Sequence, residues 1–235
     1  MLVHGAWQTA ATWDLVLPPL QSAGGRVFTA KLTGLEADGP ELTEAVTLET
    51  HIQDVVRLME VEDLHDVTLV GHSYGGMIVT GVAERAGPRI GRLVYVDAFV
   101  PSDGQAAMEL LPESIQTAFR EQARAEGNGW RLRSSERQLN LWGLKEGPAR
   151  EFVRGRLCDF SLRCFAHPVT LSSNVAPTRE RTYIACVGEG YPARAVFDQF
   201  ANRARSEGWR HYELPTGHDC HVEMAEEFSE LLLRE

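Results

Sequence analysis

The sequence predicts an α/β fold with a mostly parallel six-stranded sheet flanked by helices, and three observations predict it. Short apolar runs alternate with segments of helical spacing along most of the 235 residues. The runs "DVTLVG" (66–71), "RLVYVDAFV" (92–100) and "RTYIACV" (181–187) are rich in Val, Leu, Ile and Tyr, as strands covered by helices on both faces must be. The first of these runs on into "LVGHSYGGM" (69–77), where a serine stands between glycines immediately before a helical pattern.

Taken in order, "MLVHG" (1–5) and "RVFTAKL" (26–32) read as the first two strands. In "LETHIQDVVRLMEVEDL" the residues Ile52, Val55, Val56 and Met59 follow i, i+3, i+4, i+7, a core-facing helical stripe. The third strand, 66–71, leads through the serine turn into a helix that stops near Gly87-Pro88. The fourth strand is 92–100, the fifth 181–187, and "WRHYEL" (209–214) is the sixth. The last helix turns Met224, Phe228, Leu231 and Leu232 inward. Residues 101–178 break the alternation. They hold no convincing strand and are too long for a plain connection, so they predict a helical cap inserted after strand 4. The core is then 1–100 with 179–235. Trp130, Trp142, Phe152, Leu157, Phe160, Leu162 and Phe165 supply the cap's apolar content.

Composition narrows the function. A net charge of -10 argues against nucleic acid or an anionic membrane as partner, and no apolar run approaches the length of a membrane helix. No basic segment followed by an apolar one marks a signal peptide, although an opening inside a strand-like stretch leaves residues upstream of Met1 open. Cys158, Cys164, Cys186 and Cys220 form no C-x-x-C pair, which reads as the scattered reduced thiols of a cytoplasmic protein with no metal and no cofactor. Cys220 and His221 lack a second ligand pair.

The chemistry starts from Ser73. A G-x-S-x-G turn between strand and helix exposes the hydroxyl at the top of a parallel sheet, and a side chain at Gly71 or Gly75 would collide as the backbone folds back. A serine hydroxyl needs a neighbouring base. His51, His65 and His211 sit in helix or strand surroundings and read as surface residues, and His167 precedes a proline in the cap. His218 is different: it lies in "LPTGHDCHVEMAEEF", a loop after the last strand that returns to the serine's edge of the sheet, with His221 a competitor at the helix start. An acid must orient the imidazole. The loop after the fifth strand offers Glu189 in "CVGEGYP", Asp198 falls within the next helix, and Asp97 at the end of strand 4 is the alternative. The oxyanion donors are the amides of Tyr74, at a helix start, and Ala6, in the loop after the first strand. Trp7, Gln8 and Trp142 are the candidate pocket residues.

"LVHGAWQTAATW", "LTGLEADG", "LETHIQDV", "VGHSYGGM", "LVYVDAFVPSDGQ", "RTYIACV" and "TGHDCHVEMAEEFSELL" together resemble the small α/β-hydrolases that include bacterial esterases, plant methyl esterases and hydroxynitrile lyases. The resemblance spans nearly the whole chain. It implies the α/β-hydrolase fold, Ser73 as nucleophile, His218 as base, an acid after the fifth strand, and Ala6 and Tyr74 as oxyanion donors. Three departures stand out. The family usually has aspartate where Glu189 stands. Gln8, Thr9, Ala10 and Ala11 replace the usual His-Gly and second aromatic after "HGAW". Asp219 replaces the lysine that the lyase branch uses to hold cyanide, and a negative side chain there would repel it.

The expected function is a serine carboxylic-ester hydrolase that acts on a small-molecule ester through an acyl-enzyme. A lyase or cyclase using His218 as general base on the same scaffold is the alternative, and a non-catalytic binder that kept cap and pocket is the third reading. A homodimer through an exposed cap surface is one assembly such folds use.

Overall fold

The computed structural model describes residues 1–172 and 180–235. In chain order its strands are β1 Leu2–Val3, β2 Val67–His72, β3 Ile90–Val96, β4 Arg131–Leu132, β5 Phe160–Ser161, β6 Glu180–Cys186 and β7 Arg210–Leu214. Its α-helices are α1 Leu17–Ser22, α2 Leu48–Val61, α3 Gly75–Arg85, α4 Glu113–Glu126, α5 Glu136–Leu141, α6 Pro148–Arg154, α7 Leu162–Ala166, α8 Arg194–Ser206, α9 Cys220–Glu223 and α10 Ala225–Leu233.

The central sheet runs β1-β2-β3-β6-β7, and every neighbouring pair is parallel. It holds five strands where the sequence predicts six. The segment 26–32 contributes one parallel bridge, Thr29 opposite Leu2, closed by the Leu2 N–H to Phe28 O and the Ala30 N–H to Leu2 O at 2.8 and 2.9 Å. The reason lies in its neighbour. β1 is two residues long, so an edge segment beside it has no ladder to extend along.

Burial explains the rest. Val67, Leu69, Val70, Val94, Val96, Tyr183 and Ile184 are buried, and helices cover them: α3 packs on β2 and α2, and α8 on β6 and β7. Ile52, Val55, Val56 and Met59 of α2 are all buried, as their spacing predicts. The predicted last helix is two pieces, α9 and α10, broken at Met224, which has an extended φ of -136°. The fourth predicted strand stops at Val96 rather than residue 100, because Asp97 turns the chain with φ at 41°.

Between β3 and β6 lie α4 to α7 and the antiparallel pair β4–β5, with residues 173–178 of the predicted cap outside the described residues. Several hydrogen bonds tie this segment to loops of the core, three of them as follows. The Trp7 Nε1–H donates to Leu132 O at 3.2 Å, the Cys158 N–H to Trp7 O at 2.9 Å, and an Arg131 guanidinium N–H to Leu42 O at 3.3 Å. The two to Trp7 hold it over the loop that follows β1.

Candidate active site

Ser73 ends β2 with φ at 55°, in the left-handed region that a non-glycine residue enters at a cost. The turn is held from both sides: the Ser73 N–H donates to Val96 O, and Ser73 O accepts from the Gly76 and Phe99 amides. Its glycines are there for space. A Cβ on Gly71 would sit 2.6 Å from Gly75 O, and one on Gly75 would sit 2.7 Å from Val3 O. Ser73 itself is half-buried and opens into a cleft.

His218 lines the same cleft. Its loop is pinned by the His218 N–H donating to Trp142 O at 2.8 Å, and Gly217 passes so close to that carbonyl that a Cβ would collide with it. The ring lies against Phe197, centroids 4.7 Å apart. Its Nδ1 is 2.6 Å from Asp97 Oδ2, which leaves Nε2 as the ring nitrogen not bound to the acid.

The carboxyl group that meets His218 is therefore that of Asp97, the alternative, rather than that of Glu189, the first choice. Glu189 is exposed in its glycine turn, and among the described residues no hydrogen bond joins it to His218. Asp97 is 1 % exposed and meets the ring directly. The left-handed backbone at Asp97 aims the carboxyl across the end of β6, where Oδ1 accepts the Cys186 N–H at 3.2 Å. Tyr191 completes the group. Its hydroxyl donates to Asp97 Oδ2 at 2.7 Å and lies 2.9 Å from His218 Nδ1. Sequence reasoning missed Tyr191: in "GEGYP" only the charged residue advertises itself. Asp198 points elsewhere, paired with Arg194 on α8.

Burial pushes both members of the pair toward neutrality. Asp97 is raised to about 8 by desolvation, against the Tyr191 and Cys186 hydrogen bonds, and desolvation lowers His218 to about 3. The two titrate as one unit.

Among the described residues, neither the Ala6 nor the Tyr74 amide has a hydrogen-bond partner. Ala6 lines the cleft, and Tyr74 caps α3 at the serine turn. The Tyr74 side chain is buried instead against Phe160 and Phe165.

The rest of the lining is apolar. Trp7, Phe99, Phe119, Trp142, Phe165 and Phe197 contribute aromatic walls, three of them from the 101–172 segment. Of the expected pocket residues, Trp7 and Trp142 are there and Gln8 is not. A buried amide must find a partner, and Gln8 Nε2 donates to Asp219 Oδ1 at 2.5 Å, behind the cleft. Asp219 is thus fully buried and turned away from the lining, so it does not present the charge to substrate that its position suggests. His221 also stays outside, with Nε2 3.1 Å from Thr12 Oγ1. His51, expected on the surface, is buried: Nε2 donates to Thr33 O at 3.0 Å, and desolvation lowers it to about 4. Helical spacing hid that, because α2 buries a wider face than its aliphatic stripe. His72, His221 and Asp219 form a buried cluster with ligand atoms within 4.8 Å of one another.

The chain is similar to known proteins along nearly its whole length. Residues 1–231 match the alpha/beta hydrolase family. A carbendazim hydrolyzing esterase from Nocardioides sp. (strain SG-4G) is 36% identical, over 99% of this chain and 97% of that protein. Methylesterase 8 of Arabidopsis thaliana is 32% identical over 50% of this chain and 43% of its own length. An extracellular alpha/beta-hydrolase from a Paenibacillus species superposes with a TM-score of 0.82 at 22% identity, covering 99% and 96% of the two chains.

Proposed function

The chain belongs to the alpha/beta hydrolase family, and from that premise we propose that it is a serine ester hydrolase working through an acyl-enzyme. One observation carries the reading: Ser73, held in a strained turn, shares a cleft with a His218 whose Nδ1 is occupied by Asp97.

In the reaction Ser73 Oγ attacks the ester carbonyl while His218 Nε2 takes its proton. Asp97 holds Nδ1–H and balances the imidazolium that forms. The amides of Ala6 and Tyr74 receive the developing oxyanion, each such donor worth about 3 kcal/mol. His218 then passes the proton to the leaving alkoxide, an alcohol departs, and the acyl group stays on Ser73. A water, deprotonated by the same Nε2, attacks the acyl-enzyme; the bond to Ser73 Oγ breaks, Oγ takes that proton back from His218, and the acid leaves. No step calls for a metal or cofactor.

We read the segment 101–172 as a cap that selects the substrate, since Leu111, Ile115, Phe119, Leu141, Trp142 and Phe165 all face the cleft. Among the described residues the lining offers no acidic or basic side chain apart from His218, which favours small or medium-sized uncharged esters. Among the described residues no helix is long and apolar enough to cross a membrane. The four cysteines are free thiols, three of them buried, which supports a cytoplasmic setting.

An organophosphonate probe tests the reading. Mass spectrometry should find the adduct on Ser73, and an unlabelled Ser73 in folded protein overturns the acyl-enzyme.

A further inference from the structure

Two loops converge on the inner edge of the His218 ring, and the reaction as described uses only one. Asp97 comes from the end of β3. The other loop follows β6, and its Tyr191 is 6 % exposed, with the ring inclined 26° to that of His218 and centroids 5.9 Å apart. A buried phenol needs a hydrogen-bond partner. Tyr191 has two, Asp97 Oδ2 at 2.7 Å and His218 Nδ1 at 2.9 Å, the groups whose mutual orientation sets where Nε2 points.

We propose that Tyr191 is a positioning residue of the Asp97–His218 pair: its hydroxyl donates to Asp97 Oδ2, clamps the carboxylate against the imidazole, and keeps Nε2 turned toward the serine. This rests on the roles of Ser73 and His218 given above.

The surrounding backbone is built to hold the phenol there. Pro192 follows and restricts the Tyr191 backbone. The Ala193 N–H donates to Leu141 O at 3.2 Å, and Gly143 approaches so closely that a Cβ would lie 3.2 Å from Tyr191 Cα. A carboxylate oxygen has lone pairs for both Nδ1–H and the phenol, so the phenol favours the ionised acid. That state leaves the proton on Nδ1 and the lone pair on Nε2. The other groups facing Asp97 do not substitute for it. From β6, the Tyr183 hydroxyl is committed to the backbone of Ala98, and Cys186 offers its amide to Oδ1. From α8, Arg194 favours the carboxylate and Asp198 opposes it, the first from an exposed and the second from a half-buried position. Among the described residues, Tyr191 is the one side chain besides His218 that hydrogen-bonds this carboxyl group.

Tyr191→Phe keeps the ring and removes the hydroxyl. At neutral pH kcat should fall about tenfold or more while KM stays within about twofold, the pattern of a group that acts on the chemical step. The ascending limb of the pH–rate profile should move to higher pH, because a donor that favours the carboxylate is gone; lost packing would leave that limb in place. In an Asp97→Asn background the same change should cost little, since the two act as a unit. In wild-type protein, the low-field Nδ1–H resonance of His218 should show a nuclear Overhauser contact to the Tyr191 ring, a measurement that does not depend on the variant folding. Unchanged kcat with an unmoved limb, a loss confined to KM, or no such contact overturns the role. Phosphonate labelling run in parallel separates the two readings. An unlabelled wild-type Ser73 defeats the hydrolase itself, whereas labelled wild type with an unaffected Phe variant defeats only Tyr191.

Discussion

Ser73 and Asp97 end adjacent parallel strands in the same left-handed conformation, with φ at 55° and 41°, one residue past the paired positions His72 and Val96. Two neighbouring strands thus break identically. One break lifts a hydroxyl into the cleft, and the other swings a carboxyl across β6 to the imidazole. The same relationship makes Asp97, rather than the residue after β6, the partner of His218.

Asp97→Asn should therefore lower turnover of an activated ester by about 10²- to 10⁴-fold, since it removes the charge that stabilises the imidazolium. Glu189→Gln, at an exposed turn, should leave turnover within about twofold of wild type. Steady-state kinetics on one p-nitrophenyl ester decide between them, and the reverse ranking would return the acid to Glu189.

Ser73→Ala should abolish ester turnover, by about 10³-fold or more, with the thermal unfolding midpoint unchanged or raised. Alanine keeps the same Cβ in the left-handed backbone, so the strain remains and any rise should be small. A variant that keeps a tenth of wild-type activity contradicts an acyl-enzyme.

The pH dependence follows from the pair. His218, lowered to about 3, does not take up an extra proton near neutrality. Asp97, raised to about 8, must lose its proton before Nδ1–H can point at a carboxylate and Nε2 can act as base. The group is raised, so the competent form grows as pH rises through the folded value. The ascending limb of kcat/KM should lie above the ordinary histidine value of about 6.5, toward 8. A midpoint at or below 6.5 would show that Asp97 stays ionised in the free enzyme.

Trp142→Ala should change the ratio of kcat/KM between short- and long-chain esters by about tenfold or more, because the side chain walls the cleft 6.0 Å from the His218 ring. The backbone carbonyl that pins His218 remains, so turnover of the smallest ester should persist. An unchanged ratio across an ester panel would remove the cap's selecting role at this position.

Gly75→Ala should destabilise the fold by about 1–3 kcal/mol, since the new methyl meets two backbone carbonyls, of Val3 and His4, that cannot rotate away. Urea unfolding measures this, and wild-type stability would mean that the serine turn is looser than its geometry.

Much of this protein is determined by local pattern. Near-continuous apolar runs can be buried only between helices, and Ile52, Val55, Val56 and Met59 can share a face only on a helix. Gly71 and Gly75 around Ser73 leave room for one kind of turn, so the fold class and the serine are legible from the chain alone. His218 is legible too, because parallel connectivity returns its loop to the serine's edge. What tertiary structure decided are the partners met across long separations. Whether Glu189 or Asp97 meets His218 depends on which strand end curls over β6, a matter of φ at one residue, and no composition rule sees that. Gln8 was turned from pocket wall to the partner of Asp219, 211 positions away, by the need to satisfy a buried amide. Tyr191 gained its place for the same reason, as a phenol that could be buried only where a carboxyl and an imidazole were waiting. The strand at 26–32 shrank to one bridge because its neighbour is two residues long. Local sequence sets each segment's preference, while pairing across the sheet and the cost of an unmet polar atom choose among the arrangements those preferences allow.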